Sequence, residues 1–386
     1  MSPLTIVDPD TPFAVLDHNK LLHNIQRMQQ HIERLGVTLR PHLKTAKSVD
    51  VASRLFNGAT GPITVSTLAE AEAFAAAGYT DIVYAVGIAP HKLPRVLALC
   101  ARGVDLTVLL DSREQAEAVA KASREAGKRI PALIEIDCDG HRGGVLADDP
   151  ALIEIGRILD SASELRGVLT HAGESYFANT QQALAAAAEN ERIVAVTAAN
   201  ALRSRGLPCP VVSVGSTPTA YAAVDLTGVT EVRAGNYMFF DLFMAGVGVC
   251  DIDDLALSVV VTVIGHRPGK GWIITDGGWM ATSSDRGTAS QRIDQGYGMV
   301  TALDGVPYTD LIMSHANQEH GILTIRPNSS ARLPVLPLGT RVRILPNHAC
   351  ATAAQYDQYH VIHLSPGLED TGPATIDALW PRVNRW

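Results

Sequence analysis

The sequence holds no closely spaced pair of cysteines. Its five, at positions 100, 138, 209, 250 and 350, are odd in number and scattered, which excludes a disulfide framework and fits a reduced, cytoplasmic setting. It also has no basic run, and its formal net charge is −8. Nucleic acid and anionic membrane surfaces both reward clustered Lys and Arg, so neither is an expected partner. The longest largely apolar run, 255–264, is far short of the roughly 20 residues that cross a bilayer. Residues 1–10 carry acidic groups and proline where a signal peptide needs a basic and then an apolar region, so none is expected. What remains is an ordinary globular composition, 46% hydrophobic and 19% charged over 386 residues, enough chain for two domains.

From residue 37 to 233, short β-rich runs alternate with longer amphipathic segments rich in Ala and Leu. Strands are predicted at 37–42, 63–66, 81–86, 105–110, 132–137, 167–171, 210–214 and 230–233, and helices at 48–56, 67–77, 89–102, 112–126, 150–161 and 180–205. Most of the strands are nearly all apolar, as a parallel sheet covered on both faces requires. Eightfold strand–helix alternation favours a TIM-like (β/α)₈ barrel over an open doubly wound sheet. Beyond residue 236 the texture changes to strands at 255–264, 271–276, 298–306, 309–314, 321–325, 341–346 and 358–364, with almost no helix. The expected organisation is a barrel over 17–250 and a second, C-terminal all-β domain over 251–386, to which the strand-like opening stretch 1–16 belongs.

In a barrel of this kind, reactive groups stand at the C-terminal ends of the strands. Lys44 follows the first strand in Arg40-Pro41-His42-Leu43-Lys44-Thr45. The fifth runs into Asp137-Cys138-Asp139-Gly140-His141-Arg142, and the sixth into His171-Ala172-Gly173-Glu174-Ser175-Tyr176. The seventh ends in Gly215-Ser216-Thr217-Pro218-Thr219 and the eighth in Gly235-Asn236. The last two turns offer small residues, backbone N–H groups and hydroxyls to a phosphate. A phosphate site and a lysine on one rim point to pyridoxal 5′-phosphate, with Lys44 as its attachment. Arg142 and Tyr176 are candidates to face the pyridine nitrogen; Arg142 alternatively pairs with Asp137 or Asp139. His171 is placed to stack on or orient the ring, and Arg40 either contacts the lysine or closes the rim. In the β-rich part, Pro346-Asn347-His348-Ala349-Cys350 contains a His-x-Cys. In an extended segment both side chains point the same way, and imidazole plus thiolate suits zinc or a similar divalent ion, with water or substrate completing the shell. The turn Gln318-Glu319-His320-Gly321 is a second polar cluster.

Taken together, Arg40-Pro41-His42-Leu43-Lys44-Thr45, Thr170-His171-Ala172-Gly173, Gly215-Ser216-Thr217-Pro218-Thr219, Gln318-Glu319-His320-Gly321 and Pro346-Asn347-His348-Ala349-Cys350 resemble the metal-activated pyridoxal-phosphate enzymes of the alanine-racemase fold. That family includes D-threo-3-hydroxyaspartate dehydratase, D-serine dehydratase and D-threonine aldolase. The resemblance spans essentially the whole chain. It implies a homodimer, Lys44 as the Schiff-base lysine, and His348 and Cys350 as ligands of a divalent metal (zinc, manganese, cobalt or magnesium). It implies a small β-hydroxy D-amino acid as substrate and dehydration to a 2-oxo acid and ammonia. The alternatives are aldol cleavage, for which the aldolases carry Asp in place of Cys350, and racemisation, for which Tyr297 or Tyr308 would be the second base.

Overall fold

The computed structural model describes residues 4–364 and 372–386. The chain divides into two compact units, one formed by residues 27–235 with 385–386, the other by 1–26 with 236–384. The opening strand β1 (Phe13–Asp17) belongs to the second unit.

The first unit is an eight-stranded parallel sheet made of β2 (Thr38–Leu39), β3 (Ile63–Val65), β4 (Asp81–Gly87), β5 (Asp105–Leu110), β6 (Pro131–Ile136), β7 (Glu164–Thr170), β8 (Val211–Val214) and β9 (Glu231–Val232). Neighbours follow sequence order from β3 to β9, and β9 then pairs with β2. The ring closes where His42 bridges Thr64 in parallel, with Leu43 N–H donating to Thr64 O at 2.8 Å and Thr64 N–H to Pro41 O at 2.8 Å. The sheet is thus a closed barrel. Burial explains why it was visible in the sequence: β6 is buried at every position and β5 at all but its first, so no alternation of polar residues interrupts them. Val83, Leu109, Leu133 and Leu169, one from each of β4 to β7, pack together as a core cluster.

The lower mouth of this barrel, at the strand N-termini, is closed by charge. Arg40 Nε donates to Glu231 at 2.7 Å and its Nη1 to Asp81 at 2.7 Å, the acids being the first residues of β9 and β4. Arg40 therefore sits at the end opposite the strand C-termini, not beside Lys44. Glu231 accepts from Ser213 Oγ at 2.6 Å, and Ser213 from the buried Arg233 at 3.0 Å, continuing the network into the barrel.

The second unit is antiparallel. β10 (Leu257–Arg267), β11 (Trp272–Thr275), β14 (Gly321–Ile325), β13 (Pro307–Ala316), β12 (Met299–Thr301) and β15 (Arg341–Leu345) pair in that order, and β15 pairs back onto β10, closing a six-stranded barrel. β1, β16 (Gln358–Ile362) and β17 (Ile376–Pro381) extend the sheet from β10. Its core alternates along the strands, as Val259, Val261 and Val263 do against Ile273, Leu323, Val342 and Ile344. Short helices interrupt this unit at Trp279–Thr282 and Ala349–Ala353. The second corrects an expectation. His348 and Cys350 do not share one face of an extended segment; His348 is the N-cap of a helical turn (φ −136°, ψ 107°) and Cys350 its second residue. Among the described residues, no helix is long and apolar enough to cross a membrane.

Candidate active site

At the C-terminal rim of the parallel barrel, Lys44 lies in the turn that follows the closing bridge at His42. Its ammonium acts on two imidazoles. Burial and then the Lys44 charge push His171 down to about 3, and the same two causes hold His42 well below the usual histidine range. Both rings are therefore neutral at physiological pH. His171 Nδ1 lies 3.1 Å from Gly215 O, an acceptor only, so Nδ1 carries the proton and Nε2 is left as an acceptor. The ring of Tyr176 is 6.2 Å from that of His171, tilted by 55°.

Arg142 stands in the loop after β6. Asp137 N–H and Val145 O pair at 3.0 Å, bringing the loop back onto its own strand. Gly144 makes this return possible: its φ is +119°, and a Cβ there would meet Asp137 N at 2.4 Å. The guanidinium reaches neither Asp137 nor Asp139; it pairs with Glu135 at 3.0 Å and is 58% exposed. Asp137 is occupied instead with the backbone N–H groups of Asp139 and Gly140, at 3.0 and 2.7 Å.

The phosphate turn is organised by a residue the sequence did not single out. Glu191, 2% exposed, projects from the helix Gln181–Ser204. Its Oε1 accepts from Thr170 Oγ1 (3.2 Å), Ala172 N–H (3.0 Å) and Gly215 N–H (2.9 Å), and its Oε2 from Thr219 Oγ1 (2.7 Å). One carboxylate thus ties the end of β7 to the end of β8. Its detectable signal was a single acid within the buried stripe Leu184, Ala188, Glu191, Ala195, Ala198 and Leu202.

With the Gly215 amide committed, the donors for an anion are those beyond it. Ser216 caps the helix Thr217–Ala222 in a capping box with Thr219, and its hydroxyl also meets Ser175 Oγ at 3.0 Å. Thr217 is the first helical residue, so its N–H has no intrahelical acceptor, and its Oγ1 is buried without a partner. An orphaned hydroxyl beside a free amide suits a phosphate oxygen. The glycines answer to packing instead. A Cβ on Gly215 would lie 1.9 Å from Arg233 O, and one on Gly235 2.4 Å from His42 O, where adjacent strand ends touch. Asn236 begins the other unit, and its side-chain amide donates to Asp241 at 2.6 Å.

In that unit His348 and Cys350 do meet. The imidazole is hydrogen-bonded to Cys350, and its Nδ1 lies 2.7 Å from Asp285 Oδ2. Burial opposes a charge on this ring, but Asp285 and Cys350 outweigh it and hold His348 up to about 11. Asp241, wholly buried, accepts Ala349 N–H at 2.8 Å, fixing the backbone between the two side chains. Asn347 is bound by Thr288 Oγ1 at 2.7 Å. Among the described residues no group of three or more His, Cys, Asp or Glu is arranged to hold a metal. The pair is therefore a two-ligand donor set, borderline-soft, with positions left for water or substrate. Tyr297, named above as a possible base, carries the Arg286 guanidinium 5.0 Å above its ring.

The family model described as alanine racemase, N-terminal domain, matches residues 16–242, and that of a putative serine dehydratase domain matches 256–362. D-threo-3-hydroxyaspartate dehydratase of Delftia sp. (strain HT23) is 54% identical over 387 aligned residues, covering 99% of each chain. A solved D-threo-3-hydroxyaspartate dehydratase, a cysteine-to-alanine mutant in the metal-free form, is 53% identical with a TM-score of 0.93, covering 99% of this chain and all of that one. The D-threonine aldolase of Filomicrobium marinum is 25% identical with a TM-score of 0.82, over 99% of this chain and 97% of that one.

Proposed function

The chain belongs to the family of D-threo-3-hydroxyaspartate and D-serine dehydratases, pyridoxal-phosphate-dependent lyases on the alanine-racemase fold, and from that premise we propose that it converts D-threo-3-hydroxyaspartate to oxaloacetate and ammonia. D-Serine, giving pyruvate and ammonia, is its second substrate. The observation that carries this reading is the His348–Cys350 pair backed by Asp285, since a β-elimination benefits from a metal at the leaving oxygen and a racemisation does not.

We assign the cofactor to the barrel (17–250) and the metal to the β-rich part (251–386 with 1–16). When bound, pyridoxal phosphate supplies an electron sink at the substrate nitrogen, and a divalent ion supplies Lewis acidity worth several kcal/mol on the departing oxygen. Lys44 Nζ would be the attachment point of the cofactor, and its amine, when free, would take the proton from Cα. His42 and His171, held neutral, do not compete with it as charged acids, and His171 would stack on or orient the cofactor ring. Ser216 and Thr217, with the backbone at Gly235 and Asn236, receive the phosphate. Arg142 and Tyr176 would stand towards the pyridine nitrogen, and neither could offer it a carboxylate. His348 and Cys350 would hold the divalent ion, which would supply its Lewis acidity to the departing hydroxyl. Once the Cα–H and Cβ–OH bonds are broken, the released enamine tautomerises and hydrolyses, so the net products are a 2-oxo acid and ammonia.

We also infer a cytoplasmic homodimer, supported by the absence of any disulfide among the five cysteines and by the family's habit; gel filtration tests the second part. The decisive assay is product analysis with D-threo-3-hydroxyaspartate, D-serine and D-threonine, after chelation and after metal add-back. A 2-oxo acid and ammonia that vanish on chelation and return with metal support the reading. Glycine with glyoxylate, or a racemised substrate, overturns it.

A further inference from the structure

An imidazole can give a metal only the nitrogen that carries no proton, so whatever holds the other N–H decides how a histidine ligates. In this chain that partner is Asp285, 63 positions before His348 in sequence, with Oδ2 at 2.7 Å from Nδ1. The aspartate is itself held on every side. Its Oδ1 accepts Gly287 N–H at 2.8 Å, its own N–H donates to Ser283 Oγ at 3.0 Å, and its carbonyl receives Asn347 Nδ2 at 3.4 Å. Ser283 turns the chain into this loop with φ +80°, a left-handed conformation that a serine adopts only where its surroundings hold it. Asn347 precedes His348 and is bound from the same loop by Thr288. Loop 283–288 and segment 347–348 are therefore stitched together at adjacent residues, and the carboxylate cannot swing away from His348 without also losing the Gly287 N–H.

We infer that Asp285 is the positioning residue of the metal centre: by taking Nδ1–H of His348 it leaves Nε2 as the ligand atom and aims it. The inference rests on the proposed role of His348 and Cys350. It matters more here than in a four-ligand site, because a misplaced imidazole removes half of the protein's ligand set. The pair is partly open to solvent, with 42% of the His348 side chain and 37% of the Asp285 side chain exposed, so its effect comes from the anchoring of both partners and not from the ion pair alone.

The test uses the pyridoxal-phosphate-loaded enzyme stripped of metal by a chelator and titrated with cobalt(II), read by thiolate-to-cobalt absorption. Asp285→Ala is expected to weaken cobalt binding 10- to 100-fold, in the range found for lost partners of metal-bound histidines. Asp285→Asn, which keeps an acceptor for Nδ1–H but not its charge, is expected to fall between Ala and wild type, and it serves if the Ala variant folds poorly. A merely structural role would lower the melting temperature and leave the cobalt affinity alone. If both variants bind cobalt within twofold of wild type while His348→Ala loses it, the positioning role is wrong and the metal site stands. If His348→Ala also binds normally, the metal site itself is wrong.

Discussion

Glu191→Ala is the substitution whose cost follows most directly from the structure. The carboxylate accepts four hydrogen bonds in a place that water does not reach. The hydroxyls of Thr170 and Thr219 can rotate to other acceptors, but the N–H groups of Ala172 and Gly215 cannot. Each buried orphan costs about 1–3 kcal/mol, so the pair costs about 4 kcal/mol. Relief from burying a carboxylate offsets part of this, but removing one member of a satisfied buried polar set is destabilising overall. The expected net loss is about 3 kcal/mol. Glu191→Gln keeps an oxygen for the three donors at Oε1 and presents NH₂ to Thr219, whose hydroxyl can accept it; its cost is about 1 kcal/mol. Urea unfolding of both variants beside wild type measures this, and pyridoxal-phosphate titration reads the companion effect, since Ser216 and Thr217 follow the turn that Glu191 holds. A loss below 1 kcal/mol for the Ala variant, or equal losses for Ala and Gln, would refute the reasoning.

Two further outcomes follow. Arg40→Ala removes the ion-pair partner of buried Glu231 and leaves it the Ser213 hydroxyl and the nearby Arg233 charge, a loss of about 3 kcal/mol at the lower end of the range for a broken buried pair, yet the turnover of the folded fraction should hold because Arg40 closes the opposite mouth of the barrel; a fall in kcat at full folding would contradict that placement. Because His171 is pushed down to about 3 and His42 is lowered too, the unfolded chain binds more protons below pH 6.5. The stability that these two rings contribute to the metal-free, cofactor-free protein is therefore full above pH 6.5 and lost as pH falls towards 3, with His171 accounting for a loss of about 2 kcal/mol at pH 5; His348, held up to about 11, acts in the opposite sense as pH rises above 6.5. His171→Gln should flatten that part of the profile, as urea unfolding at pH 5 and 7 will show.

The parallel barrel was legible because its strands are buried on both faces and so read as uninterrupted apolar runs, while the helices between them keep their period. The rim was legible for the same reason: where an apolar run stops at a polar turn, the strand has reached its end. Arg40 misled because a residue two positions from a strand's start and four from Lys44 gives no indication of which mouth it faces. Arg142 found Glu135 instead of its nearer acids because Asp137 is spent on turning the loop. The helix at Ala349–Ala353 is one turn of small residues, too short to carry a period. Asp285 could not be matched to His348 at all, since they meet only through the folding of the antiparallel unit.

On the proposed reading Lys44 takes the Cα proton, and an ion held by His348 and Cys350 would assist departure of the β-hydroxyl. The most direct measurement follows both steps at once in D₂O, with proton NMR for deuterium entering Cα of D-serine and an ammonia assay for elimination. His348→Ala, loaded with pyridoxal phosphate, should exchange the Cα proton while releasing almost no ammonia, and Lys44→Ala should do neither. Ammonia release by His348→Ala at the wild-type rate, or exchange by Lys44→Ala, would contradict the account.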